Sequence, residues 1–207
     1  MRVGCLLAEV TALPLVPYAQ ARGGIRDGDV LLFRARGPVA AVIRWATRSE
    51  FSHAALAVWV RPDPTDPTRD RLMLVESREG SGCRMIPLSD AVAGGAARIS
   101  LFVPRVDAYR PAVVGAALDR LGQPYGWRSI LRDAFGRLPL LSLVWRRRQY
   151  STDDLEDAGV RVKCSTLVAL AWRAGGLDLV PNLADRSTDP GDLARSGWLE
   201  GRLELAG

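Results

Sequence analysis

Cys164 stands where a helix should begin. The run from Cys164 to Ala174 sets Leu167, Val168, Leu170, Ala171 and Ala174 along one side, and Gly175-Gly176 closes it. A thiol at a helix start feels the positive end of the dipole and the unpaired backbone N–H groups, and both favour the thiolate. The thiolate is the nucleophilic form, so the placement suits covalent catalysis. Lys163 adds a positive charge next door. Taken alone, a cysteine in this setting reads as a buried packing residue. A base would change that reading, and His53 is the one histidine in the chain. It opens the stretch Ser52-His53-Ala54-Ala55-Leu56-Ala57-Val58, whose small residues leave space for another element to approach an imidazole.

A third member follows from register. Arg61 to Thr68 is rich in proline, aspartate and threonine and reads as a turn between two strands, His53 to Val60 and Arg71 to Ser77. Centring that turn between Pro64 and Thr65 pairs His53 with Glu76. Directly opposed residues share a face, with Cβ atoms about 4.5–5.5 Å apart. A carboxylate there would hold the imidazole in one tautomer and stabilise its charged form. The plainer reading of Glu76 is a solvated strand end.

The elements that must position these residues are legible in outline. Arg26-Asp27-Gly28-Asp29 is a turn into the buried strand Val30-Leu31-Leu32-Phe33, with Asp29 fixing the turn. Pro38 opens a helix through Val39, Val42, Ile43 and Trp45. Ile99 to Val103 reads as a further strand, and Pro111 to about Leu121 as a helix closed by Gly122. Asp189-Pro190 has the form of a helix start. Strands followed by helices predict an α+β domain built on an antiparallel sheet. Residues 1–25 are read as an N-terminal segment and 26–207 as one domain.

These motifs, in this order, carry a family resemblance. Gly28 to Phe33, then Ser52 to Leu56, then Val75-Glu76-Ser77 resemble the histidine-bearing half of NlpC/p60-type cysteine peptidases. Leu121-Gly122-Gln123-Pro124-Tyr125-Gly126-Trp127 and Lys163 to Val168 resemble the other half, and Asp189 to Leu193 a recurrent tail. The cysteine half comes second, as in a circularly permuted branch similar to lecithin–retinol acyltransferases and bacterial envelope hydrolases. The resemblance implies a papain-like fold with Cys164 as nucleophile, His53 as base and Glu76 as orienter. It also implies that Tyr125 and the Cys164 backbone N–H face the oxyanion; core packing with a satisfied hydroxyl is the other reading of Tyr125. Two features depart from the family pattern: the long stretch between Tyr125 and Cys164, and the lack of a recognisable cell-wall-binding module.

Composition bounds the partners. The chain has 207 residues, 48% of them hydrophobic and 25% charged, which excludes disorder, collagen and coiled coil. A net charge of +5 suits anionic lipid, an anionic cell wall or nucleic acid. Arg146-Arg147-Arg148 alone is a weak nucleic-acid footprint, and nucleic acid is not expected as a partner. The apolar and basic stretch 127–150 reads as core helix with solvated arginines, or as a lid meeting anionic lipid. Cys5, Cys83 and Cys164 form no CxxC pair, so neither a disulfide framework nor a metal site is expected, and no cofactor. Glu9, Pro14 and Pro17 interrupt the apolar start, so a short amphipathic segment is expected in place of an export signal, and a cytoplasmic location ahead of an envelope-associated one.

The function expected is hydrolysis or transfer at an amide or ester through an acyl-cysteine intermediate. Its substrate would be a peptidoglycan peptide or an acyl-lipid or N-acyl compound. The alternative is a catalytically idle module of the same fold holding an anionic partner.

Overall fold

The structure is a computed structural model, described here for residues 12–95, 97–106, 109–125, 162–181 and 183–207. The stretch 127–150, read above as core helix or lid, lies outside the described residues, as do Cys5 and Arg146 to Arg148.

The described strands are β1 (Leu15–Pro17), β2 (Val30–Ala35), β3 (His53–Val60), β4 (Arg71–Arg78), β5 (Gly82–Pro87), β6 (Ala97–Pro104) and β7 (Leu199–Ala206). They form a seven-stranded sheet in the order β1-β7-β6-β2-β3-β4-β5. Every pairing is antiparallel except β1 with β7. Helices α1 (Tyr18–Ala21), α2 (Pro38–Thr47), α3 (Leu88–Ala93), α4 (Arg110–Leu118), α5 (Cys164–Ala174) and α6 (Pro190–Ala194) are set around it. This is the α+β architecture expected, with a mainly antiparallel central sheet. Of the N-terminal segment set apart at 1–25, β1 pairs with β7 and Ile25 is buried in the core.

The central strands read as continuous apolar runs because both of their faces are covered. On one face Val30, Leu32, Ala54, Leu56 and Val75 pack against Val113 of α4 and Leu167, Ala171 and Trp172 of α5. On the other, Leu31, Phe33, Ala55, Ala57 and Leu74 pack with Ile25 and with Leu88 and Val92 of α3. Asp29 locks the turn into β2 by accepting from the Arg26 N–H at 2.8 Å and from Arg110 at 2.9 Å. Gly28 stands at φ +79°, and its carbonyl takes the Trp172 indole N–H at 3.0 Å, tying that turn to α5. Asp189 and Asp192 form a capping box that starts α6.

The register of the β3–β4 hairpin differs from expectation. Glu76 lies opposite Ala55, so His53 sits two positions from the direct pair. The turn does not end at Pro67; it continues as a 3-10 turn over Pro67–Arg69, with the Asp66 side chain accepting from the Thr68 N–H at 3.1 Å. Those extra residues on the β4 side move the hairpin centre. A shift of two preserves the face, and a diagonal neighbour remains within reach of long side chains.

Among the described residues, no helix is long and apolar enough to cross a membrane.

Candidate active site

The site forms where the first residue of β3 meets the N-terminus of α5. His53 stands directly opposite Phe33 in the sheet, and the two rings pack edge to face at 5.2 Å between centroids. This contact sets the imidazole plane. The imidazole Nε2 is 2.6 Å from Glu76 Oε2, and Cys164 is the other negative group that acts on the ring. The diagonal register therefore brings together the pair that direct opposition was expected to provide.

Glu76 is held from its other side as well. Arg84 on β5 lies directly opposite Glu76 and donates from Nε at 2.9 Å and Nη2 at 2.7 Å to Oε1. The sequence reading missed this residue. Gly80 and Gly82 mark a tight turn, and pairing β4 with β5 about Gly80 would have set Arg84 against Glu76. Burial alone would raise the Glu76 carboxyl, but His53 and Arg84 outweigh it and bring it down to about 2.

Cys164 is the first residue of α5 and 6% exposed. Burial pushes its thiol up, while the imidazolium, an Ala54 backbone hydrogen bond and the Lys163 charge pull it further down, to a net position below the ordinary thiol value. Burial likewise opposes charge on His53. The Cys164 thiolate and the Glu76 carboxylate together outweigh it and push the imidazole up to about 9. The surroundings therefore favour a thiolate beside an imidazolium, with the Glu76 carboxylate behind the ring.

Several contacts hold α5 in place. Ser165 Oγ donates to the Thr188 carbonyl at 2.6 Å, and Thr166 Oγ1 to the Asp185 carbonyl at 3.0 Å. Ser77 Oγ, on β4 next to Glu76, donates to the Val162 carbonyl at 2.5 Å. Both ends of the relay are thereby tied to the strand that carries the acid. Lys163 is itself buried at the helix cap.

Tyr125 pairs with Val162 in a short parallel bridge. The segment before it is clamped to β5, with Cys83 N–H donating to the Gln123 carbonyl at 2.8 Å and Gly122 N–H to the Cys83 carbonyl at 2.9 Å. Burial raises the Tyr125 hydroxyl, and the negative charges of Cys164 and Glu79 raise it further, so it stays protonated and able to donate. A cleft of about 370 Å³ opens beside His53 and Tyr125, walled by Phe33, Ala40, Ile43 and Ile86.

All four residues singled out by sequence, Cys164, His53, Glu76 and Tyr125, thus lie in one place. Among the described residues no group of three His, Cys, Asp or Glu side chains is arranged to hold a metal ion. Cys83 is a free buried thiol on β5.

A cysteine at a helix start, acting by charge on an imidazole that a carboxylate holds, on a seven-stranded α+β sheet, fits the class of papain-like cysteine hydrolases. A family model described as permuted papain-like amidase enzyme, YaeF/YiiX, C92 family, matches residues 24–133, and the chain belongs to that family. Its fold is similar to the crystal structure of the metalloprotein yiiX from Escherichia coli O157:H7, with a TM-score of 0.58 and 13% identity over 88% of this chain and 99% of that one. At that identity the likeness bears on the fold alone. No curated protein matches the chain.

Proposed function

We propose that this cysteine hydrolase cleaves the amide of an N-acyl, lipid-like substrate, with Cys164 as nucleophile, His53 as general acid and base, and Glu76 as the residue that orients His53. What supports the reading is the chain of hydrogen bonds from Arg84 through Glu76 to His53, with a buried cysteine at a helix N-terminus acting on the same imidazole.

In this reading the Cys164 thiolate attacks the amide carbon, and the C=O electrons move onto oxygen. Tyr125 O–H and the Cys164 backbone N–H donate to that oxyanion. The tetrahedral intermediate collapses, the C–N bond breaks, and the His53 imidazolium gives its proton to the departing amine. Neutral His53 then takes a proton from water. The hydroxide attacks the thioester, and the acid leaves as the thiolate–imidazolium pair is restored. Glu76 stays ionised throughout, as its position near 2 requires.

The apolar walls of the cleft, Phe33, Ala40, Ile43 and Ile86, favour an acyl chain in the acid half of the substrate. A second reading, a peptide amide of peptidoglycan, draws support from Arg36, Arg78, Glu79 and Asp90 on the same cleft, which suit a charged peptide.

The test is iodoacetamide alkylation of Cys164 against pH in wild type and His53→Ala, followed by mass spectrometry of reactions with N-acyl amino acids and with muropeptides. Fast labelling below pH 8 that slows in His53→Ala, with release of fatty acid, is the expected result. An ordinary thiol profile in both proteins would make the chain a binding module of the same fold.

A further inference from the structure

Helix α2 has two faces and no buried side chain among those described. Ala40 and Ile43 line the cleft beside His53. The opposite face carries Pro38, Ala41, Val42 and Trp45 into solvent, with Trp45 69% and Val42 54% exposed. Helical spacing puts these four on one stripe. An exposed tryptophan and valine on a helix whose described side chains contribute nothing to the core call for a covering partner.

The chemistry around the stripe identifies that partner. Arg34, Arg36, Arg44 and Arg48 surround a hollow of about 610 Å³ that also contains Trp45. The only acid on it, Glu50, pairs with Arg34 at 2.8 Å. The Arg44 guanidinium donates to the Ala35 carbonyl, which holds it at the rim. Arg36 and Arg48 are exposed and have no acidic partner among the described residues. An apolar stripe with an indole beside free guanidinium groups is the pattern of a helix lying in the boundary of an anionic bilayer.

We propose that α2 seats this protein on an anionic lipid surface, with Val42 and Trp45 entering the acyl boundary and the arginines of the adjoining hollow taking lipid phosphates. The inner face of the same helix walls the cleft, so docking sets the cleft within a helix's width of the lipid surface. The inference goes beyond the amidase reading and depends on it only for the identity of what enters the cleft.

The test uses the full chain and vesicles of phosphatidylglycerol mixed with phosphatidylcholine, against vesicles of phosphatidylcholine alone, in a sedimentation assay. Wild type is expected to bind the anionic vesicles at least about tenfold more tightly, and to lose that preference at high salt. Val42→Ser with Trp45→Ser, and separately Arg36→Glu with Arg48→Glu, each weaken binding by about tenfold or more, at roughly fivefold for each arginine lost. Circular dichroism confirms that both variants fold. Equal binding to the two vesicle types, or variants that bind as wild type does, would overturn the proposal. So would a concentration-dependent dimer that Val42→Ser with Trp45→Ser abolishes in the absence of any vesicle binding, since a second copy would then be what covers α2. An affinity for duplex DNA in place of vesicles, lost in Arg36→Glu with Arg48→Glu, would overturn it as well. The two readings fail separately. Cys164→Ser binds vesicles as wild type does if α2 docks, and Val42→Ser with Trp45→Ser hydrolyses a soluble short-chain N-acyl amide at the wild-type rate if the relay is catalytic.

Discussion

Arg84 grips one oxygen of Glu76 through two nitrogens, at 2.9 and 2.7 Å, and so dedicates the other oxygen to His53. A bidentate guanidinium–carboxylate pair fixes the carboxylate plane as well as its position. Arg84 touches neither the thiol nor the cleft, so its part is positioning.

Replacing Arg84 with Met should lower kcat by roughly 10- to 100-fold, the equivalent of a charged hydrogen bond worth about 1.5–3 kcal/mol, with KM little changed. The Glu76 carboxyl rises from its position near 2 once the guanidinium is gone, so the acid limb of the pH–rate profile moves up. Arg84→Lys, which keeps the charge and loses the fork, should restore the acid limb more fully than the rate. A profile unmoved in Arg84→Met would show that Glu76 does not depend on it.

His53 is the only histidine in the chain, so its ring protons give one proton-NMR titration. The midpoint is expected near 9 in wild type, and lower in Cys164→Ala, where the thiolate is lost and Glu76 remains. The sign for stability follows. A folded value near 9 against 6.5 unfolded means that His53 stabilises the fold fully below about pH 6.5, an effect lost as pH rises through about 9. Glu76, near 2 folded against 4.5, stabilises fully above about pH 4.5, an effect lost as pH falls through about 2. A midpoint unchanged in Cys164→Ala would separate the thiol from the imidazole.

Tyr125→Phe removes the hydroxyl and keeps the ring. If the hydroxyl serves the oxyanion, kcat falls by about 100-fold while the thermal midpoint and the alkylation rate of Cys164 stay near wild type. A loss of stability with unaltered kcat would instead make Tyr125 a packing residue.

Gly82 has φ +67°, and a Cβ there would lie 2.3 Å from the Gln123 carbonyl oxygen. That carbonyl accepts the Cys83 N–H and belongs to the clamp that precedes Tyr125. Gly82→Ala should cost about 1–3 kcal/mol in urea unfolding and lower kcat together with it, because the clamp must shift. Gly80→Ala is the control: it also has positive φ, but a Cβ there meets nothing within 4 Å.

Much of this arrangement is legible in the chain, and the exceptions have physical causes. Strand β3 and helix α5 begin and end where apolar runs and turn residues indicate, because burial on both faces of β3 and nearly all round α5 leaves a strong local pattern, although Leu170 is only half-buried and Ala174 exposed. Strand β5 and helix α3 escaped notice. Gly82-Cys83-Arg84-Met85-Ile86-Pro87 shows no clean alternation, since β5 is an edge strand with mixed surroundings. The β3–β4 register slipped by two because the composition of a turn does not say where its last residue lies, and the 3-10 turn at Pro67 extends it. The face nevertheless survived, and with it the pairing of His53 and Glu76. The Tyr125 bridge to Val162 joins segments far apart in sequence, and no local pattern reports such a contact.

The burial of Lys163 has a practical consequence. It is the only lysine in the chain, and it lies next to Cys164. Amine-directed reagents therefore find one side chain here, and it is shielded. Labelling of that ε-amine becomes a reporter of local opening at the helix cap, readable by mass without any engineered probe. Attachment chemistries that rely on surface lysines will pass this protein by, whereas its abundant guanidinium groups remain open to arginine-selective dicarbonyls.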